Sequence, residues 1–389
     1  MSSCSFSEFI NEKPLYYKEI DHERVHKAYA RLKSKIRQPL TLHVVGTNGK
    51  GSTGRIMAML LHFSGKQVGH FSSPHILKFN ERIWINGDDI SDDTLEIAHQ
   101  KLYAILGEAM SSVLSYFEYT TLLALVAMES LEVIILEAGL GGEFDATNVC
   151  SKALSVITPI GLDHQDFLGH TIKEIATTKM NSIHNDFVLA LQREKEVYAI
   201  AKEVRNAKNV NCYDVANFNT YYTSEYENVK QITTELSWSQ YLFENTLTAL
   251  YALKVLKLSY RIEDLKQVKL FGRFYHFLPN VIIDVGHNLL AATAITEALE
   301  KEGKKEIILV YNALNDKDYA SIVKKFKPYI KWIEIIEIET ARAVEVKLLE
   351  NELETLDISY KKFSKIDRDE EYLIFGSFYV IETFLNKIA

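Results

Sequence analysis

Residues 41–63 read TLHVVGTNGKGSTGRIMAMLLHF: an apolar, β-branched run, a glycine-rich turn, and a run of helix formers. The turn comprises Gly46, Thr47, Asn48, Gly49, Lys50, Gly51 and Ser52, with Thr53 after it. Between a strand and a helix N-terminus, such a turn aims backbone N–H groups and the helix dipole at an anion. A lysine at its centre reaches the terminal phosphates of a nucleotide. The stretch therefore predicts a nucleotide site. Outward from it, further apolar runs alternate with amphipathic segments: VIIL (133–136), ALSVITPI (153–160), FVLAL (187–191), VIIDV (281–285), EIILVY (306–311) and YLIF (372–375). Strands that are nearly all apolar, with helices between them, imply mostly parallel sheets covered on both faces, so the expected fold class is α/β.

The chain is long for one domain: 389 residues predict two. Its 47% hydrophobic and 25% charged residues are those of a globular protein, which excludes a disordered or fibrous chain. The longest uncharged apolar stretch, Tyr119 to Met128, spans ten residues, far below the roughly 18 of a membrane-spanning helix. Acids at Glu8, Glu12 and Glu19 interrupt the N-terminal region where a signal peptide needs an apolar core, so a cytoplasmic protein without membrane association is expected. Cys4, Cys150 and Cys212 form no CxxC pair, and they predict neither a disulfide framework nor a zinc site. A net charge of −8 argues against nucleic acid as a partner, because neutralising phosphates takes a clustered excess of base.

Local signals mark several element ends. Thr171 with Glu174 three residues on reads as a capping box, Ser91 before Asp92 and Asp93 as a helix start, and Asn86-Gly87 as a tight hairpin turn. A helical run at 240–258 and a helix candidate at 262–270 precede Phe271-Gly272-Arg273, after which the alternation restarts. The domain junction is expected near 270, giving domains 1–270 and 271–389.

The turn departs from the common GxxxxGK[ST] form: Val44 stands at the first glycine position, and Gly51 separates the lysine from the hydroxyls. GTNGKGST resembles the phosphate loop of the Mur-ligase superfamily, and in its extra glycine resembles the folate branch, folylpolyglutamate synthase and dihydrofolate synthase. Other segments resemble that branch in its order: Ser72-Ser73-Pro74-His75, Asn80-Glu81-Arg82-Ile83, SYFEYTT (115–121), ILEAGLGGEFDATN (135–148), IGLDHQDFLGHTIKEIATTK (160–179), FGRF (271–274), DVGHN (284–288), DKD (316–318) and GSF (376–378). The resemblance spans about 40 to 380. Met180-Asn181-Ser182 departs from the branch's usual AGI.

The resemblance implies a P-loop Mur-ligase-like ATPase domain followed by a smaller Rossmann-like domain. It implies Ser73, Glu137 and His164 as ligands of Mg²⁺, and Lys179, carbamylated, as a ligand of a second Mg²⁺. Asn245, Arg273 and Asp284 would bind ATP with the loop, which would put ATP between the domains, with His287 nearby in DVGHN; that His287 positions the amine or its product carboxylate is a separate expectation that no spacing carries. Tyr116, Phe117, Glu118, Phe144, Asp145 and Ala146 would bind the pterin, with a stretch near Glu19 to Glu23 beside them. The implied partners are ATP, L-glutamate, and dihydropteroate or reduced folates, acted on by a monomer. Read from the residues themselves, Glu137 ends an apolar strand at the carboxyl edge of a parallel sheet, and His164 lies in the loop after the next long strand. If its helical period holds, Lys179 points away from bulk solvent. The implied reaction is an ATP-dependent ligation: the substrate carboxylate is phosphorylated to an acyl phosphate, and the glutamate amine displaces phosphate. The competing readings are another Mur-type amino-acid ligase, a P-loop kinase or NTPase, and a nucleotide-binding module without catalysis.

Overall fold

A computed structural model describes residues 4–14 and 21–388. Glu19 lies outside the described residues. The chain forms two compact units, the first made of 1–160, 168–229 and 245–268, the second of 161–167, 230–244 and 269–389. The backbone passes between them five times, the last passage falling at Val268–Lys269. Among the described residues no helix is long and apolar enough to cross a membrane.

The first unit is built on eight strands: β1 (Leu40–Val45), β2 (Val68–Phe71), β3 (Ile83–Ile85), β4 (Asp88–Asp89), β5 (Val133–Glu137), β6 (Leu154–Ile157), β7 (Phe187–Leu189) and β8 (Cys212–Asp214). Their order is β4-β3-β2-β5-β1-β6-β7-β8. From β2 through β8 neighbouring strands are parallel, and β3 and β4 add an antiparallel edge. Leu42, Val44, Val45, Ile134, Ile135 and Leu136 of β1 and β5 have no exposed surface. Strands buried on both faces have no polar side to alternate with, so they are continuous apolar runs in the sequence. Asn86 and Gly87 make the turn between β3 and β4, both with positive φ. ALSVITPI gives only the four residues of β6: the Thr158 N–H still donates to Val45 O (2.8 Å), and beyond it the Pro159 carbonyl accepts from the amides of Thr47 and Asn48.

The second unit has β9 (Tyr275–Leu278), β10 (Val281–Asp284), β11 (Ile307–Tyr311), β12 (Ile330–Ile335), β13 (Tyr360–Lys362) and β14 (Tyr372–Phe375), ordered β13-β12-β11-β14-β10-β9. All pairs are parallel except β9 with β10. The core strands β10, β11 and β14 are the runs legible in the sequence. The edge strands β9 and β13 are not, since neither has a fully buried residue and their exposed positions are His276, Leu278, Lys361 and Lys362. The expected helix at 262–270 is a 3₁₀ helix, Ile262–Gln267. Helices Ile172–Met180 and Asp92–Val113 start on the Thr171 and Ser91 caps, with Thr171 and Glu174 completing the capping box.

Candidate active site

In the first unit the phosphate turn joins β1 to the helix Lys50–Phe63. Two of its glycines are required by geometry. A Cβ on Gly46 would lie 2.0 Å from Thr158 Oγ1 and 2.9 Å from the Thr158 carbonyl oxygen. Gly49 has φ +81°, and a Cβ there would lie 2.7 Å from Asn245 Oδ1. Only a residue without Cβ takes both positions unstrained. The turn amides are not all alike. Those of Thr47 and Asn48 donate to the Pro159 carbonyl (2.9 and 3.1 Å) and brace the turn from below. Thr53 N–H donates to Gly49 O, so the amides of Lys50, Gly51 and Ser52 form the helix's first turn, where no intrahelical acceptor exists. Those amides and the positive end of the helix dipole make the anion cradle.

Two ammonium groups converge on this cradle. Lys50 Nζ donates to Gly46 O (3.2 Å) and Thr47 O (3.1 Å), and Lys179 Nζ, 3% exposed, donates to the same Gly46 O (3.0 Å). The helical period did turn Lys179 inward. Its helix ends against the loop after β5, where a Cβ on Gly142 would lie 2.6 Å from the Lys179 carbonyl oxygen. Ser52 Oγ donates to Gly49 O (3.2 Å) and accepts from Asn245 Nδ2 (2.8 Å), so the buried Asn245 of helix Gln240–Val255 clasps the start of the loop helix.

Glu137 is the last residue of β5, 5% exposed and in register with Val44 of β1, two residues before the turn. Ser73 follows β2 and is half-buried. Among the described residues no three His, Cys, Asp or Glu side chains are grouped to hold a metal ion. A hydroxyl, a carboxylate and an imidazole are too few for an all-protein cage. Ser73 and Glu137 offer oxygen donors, the ligand type that a hard cation such as Mg²⁺ takes while keeping waters.

Around the pterin positions, Ser115 caps the helix Tyr116–Ala127, and the Glu118 carboxylate accepts from the Ser115 amide (2.7 Å) and pairs with Arg24 (2.9 Å). The Phe117 ring packs on Gly139, where a Cβ would lie 2.6 Å from it. Asp145 is buried; its Oδ2 accepts from Leu140 N–H (2.9 Å) and its Oδ1 from Thr147 N–H (2.9 Å) and Thr147 Oγ1–H (2.5 Å). Burial pushes its pKa up, against those donors. Asp145 thus shapes the turn ahead of the 3₁₀ helix that Ala146 opens, rather than offering a free carboxylate. Phe144 is 55% exposed and lies against His22, the ring centroids 4.2 Å apart and the planes tilted by 32°.

In the second unit the Asp284 carboxylate ends β10 and accepts from Phe274 N–H (2.8 Å), Gly286 N–H (2.7 Å) and Tyr241 O–H (2.9 Å). Burial raises its pKa, with Arg273 opposing. The Arg273 guanidinium donates to Gly272 O and lies over the Phe378 ring. His164, with positive φ, follows Asp163, and Asp163 is a hub that sequence reasoning passed over. It accepts from Lys317 Nζ (2.5 Å), Asn288 Nδ2 (2.8 Å) and the His164 amide (2.8 Å), and faces His287 Nε2 at 3.7 Å. Burial raises the Asp163 pKa, but His287, His164 and Lys317 together outweigh it and hold the carboxyl well below its usual range. The sequence signal was its place beside His164; its partners are 124 to 154 residues away in the chain and carry no spacing pattern.

No protein-family model matches the chain. It is 33% identical over 367 residues to the dihydrofolate synthase/folylpolyglutamate synthase of Buchnera aphidicola subsp. Schizaphis graminum, covering 88% of this chain and 87% of that one. Among solved structures it resembles E. coli FolC in complex with DHPP and ADP, with a TM-score of 0.83 at 26% identity, covering 99% and 98% of the two chains. It also resembles the bifunctional folylpolyglutamate synthase/dihydrofolate synthase of Yersinia pestis complexed with AMPPNP and Mn ion, with a TM-score of 0.82 at 26% identity, covering 98% and 97%. Identity at this level along nearly the full length of both chains, on a shared two-sheet fold, makes the chain a member of the dihydrofolate synthase/folylpolyglutamate synthase family of ATP-dependent ligases.

Proposed function

We propose that this protein joins the amine of L-glutamate to the carboxylate of dihydropteroate and of reduced folates, driven by ATP cleavage. The observation that carries this reading is the convergence of Lys50 and Lys179 on Gly46 O at the mouth of an amide-lined turn. The half-buried Lys50 ammonium beside three first-turn amides forms a site for concentrated negative charge, as a triphosphate supplies, and the buried Lys179 stands at the same carbonyl. A carboxylate does not react with an amine in water, because it is a resonance-stabilised anion with no leaving group. Its oxygen attacks the γ-phosphorus of ATP, ADP departs, and an acyl phosphate forms. The glutamate nitrogen then adds to the acyl carbon, and the tetrahedral intermediate expels phosphate. Lys50 and the amides of Lys50, Gly51 and Ser52 hold the phosphate oxygens and balance the charge that spreads over the transferring group.

Asn245 holds the loop's first helical turn through Ser52, Arg273 and Asp284 are further ATP-binding residues, and His287 serves the incoming amine. Ser73, Glu137 and His164 would hold one Mg²⁺, and Lys179, as its carbamate, a second; when bound, the ions screen phosphate charge and polarise the γ-phosphoryl group. Tyr116, Phe117, Glu118, Phe144 and Ala146 form the pterin subsite, with Phe117 as the stacking ring, and Asp145 serves it by shaping the loop around it rather than with a free carboxylate. Residues 1–270 act as the ATPase domain and 271–389 as the ligase domain of a cytoplasmic monomer.

The test is ATP turnover with and without L-glutamate and a reduced pteroate. Lys50→Ala is expected to lower turnover by at least a hundredfold while the protein stays folded. Turnover that ignores both acceptor substrates would point to a kinase or NTPase instead. Dihydropteroate and tetrahydrofolate assayed side by side decide whether both activities are present.

A further inference from the structure

The strand that delivers the phosphate turn carries a polar side chain which the reaction as described does not use. His43 of β1 has no exposed surface, and its Nε2 lies 2.7 Å from Thr147 Oγ1. Its Nδ1 is buried without a hydrogen-bond partner among the described residues. Thr147 Oγ1 is in turn bonded to Asp145, whose two oxygens also accept from the main chain at Leu140 and Thr147. The protons can be assigned from these partners. A carboxylate ringed by donors accepts, so the Thr147 hydroxyl gives its one hydrogen to Asp145 Oδ1, and its lone pair takes a hydrogen from His43 Nε2. His43 is therefore the Nε2–H tautomer, neutral, with a bare Nδ1. Burial, followed by the charges of Lys152 and His184, disfavours a second proton.

An imidazole with an orphaned nitrogen is a poor core residue, because a buried polar atom without a partner costs stability. What His43 contributes is a donor aimed from β1 at Thr147. Asp145, held by that hydroxyl, ties down Leu140 beside Gly139, the glycine against which the Phe117 ring lies.

We propose that His43 is a positioning residue for the pterin subsite: through Thr147 it fixes the 139–147 loop to the strand that carries the phosphate turn. The inference rests on assigning that loop and Phe117 to the pterin.

The test compares His43→Phe, His43→Gln and Phe117→Ala for KM of dihydropteroate, KM of ATP, kcat and melting temperature. His43→Phe fills the volume and removes the orphaned nitrogen, so its melting temperature should hold or rise. Its KM for dihydropteroate should increase about tenfold with KM for ATP unchanged, the loss of one buried hydrogen bond. His43→Gln, which keeps an N–H at that reach, should restore most of the affinity. A lower melting temperature with unchanged KM would reduce His43 to a packing role and overturn the proposal. If His43→Phe fails to fold, Thr147→Val against Thr147→Ser provides the same comparison from the hydroxyl side. Should Phe117→Ala raise the dihydropteroate KM while neither His43→Phe nor Thr147→Val does, the proposal alone fails. Should Phe117→Ala leave it unchanged, the pterin assignment falls and the proposal with it.

Discussion

His70, on β2, is 1% exposed, and neither ring nitrogen has a hydrogen-bond partner among the described residues. Its ring packs against the backbone of Gly54 in the helix after the phosphate turn. Two desolvated and unpaired polar atoms are a standing cost, so His70→Leu, similar in volume, should raise the urea midpoint by the equivalent of about 1–2 kcal/mol. An unchanged or lower midpoint would mean the ring has a partner after all. Asp163 is the opposite case, a buried charge fully matched. Lys317, 8% exposed, pairs with it and with Asp316, while Asn288, the N-cap of helix Leu289–Lys301, donates to its other oxygen. Asp163→Asn removes the charge and leaves the Lys317 ammonium underpaired in a dry site, which should destabilise the protein by about 3 kcal/mol. Equilibrium denaturation measures that loss, and adding Lys317→Met should recover much of it, since the unpaired ion rather than the lost pair carries the cost.

Short elements depend on their ends. The helix Ile172–Met180 has nine residues, too few to persist by propensity alone, and it carries Lys179 one residue from its C-terminus. Its Thr171–Glu174 capping box satisfies two N-terminal amides reciprocally, so Thr171→Ala should cost about 1 kcal/mol and speed amide exchange in the first turn. Wild-type exchange rates there would mean tertiary packing alone holds the helix. The phosphate turn depends on a neighbouring element instead. Its register is set by β6, whose continuation at Thr158 and Pro159 touches Gly46 and binds the Thr47 and Asn48 amides. Both cap residues and all the turn glycines were legible in the sequence, because caps and tight turns are chosen by local backbone chemistry. That two of the turn amides face Pro159 was not, since that bond joins residues more than 110 positions apart.

Across the whole molecule, neutral histidines couple stability to pH. His43 and His70 are held well below the ordinary value of 6.5, mainly by burial, and His75 is lowered to about 4 by burial and by Arg82. Below pH 6.5 the unfolded chain takes up protons that the folded one does not, so stability falls with pH from there downward and is flat above. Each group contributes up to about 1.4 kcal/mol per pH unit once its unfolded counterpart is fully protonated, so the fall steepens from pH 6 towards 5. Asp145 and Asp284, raised by burial, pull the other way only where carboxylates titrate. Urea midpoints should fall between pH 7 and 5, and His70→Leu should reduce that fall by about a third. A pH-independent midpoint from 7 to 5 would contradict neutral buried imidazoles. By itself the sequence determined the α/β class, the phosphate turn, and the core strands β1, β5, β10, β11 and β14, because apolar runs and glycine spacings are local statements about burial and backbone geometry. Only the tertiary structure decided that Lys179 shares Gly46 O with Lys50, that His43 meets Thr147, and that Asp163 gathers Lys317, Asn288 and His287. Those are contacts across many tens of residues, fixed by how strands are ordered in a sheet and by which charges must be paired once water is excluded, and no spacing along the chain encodes them.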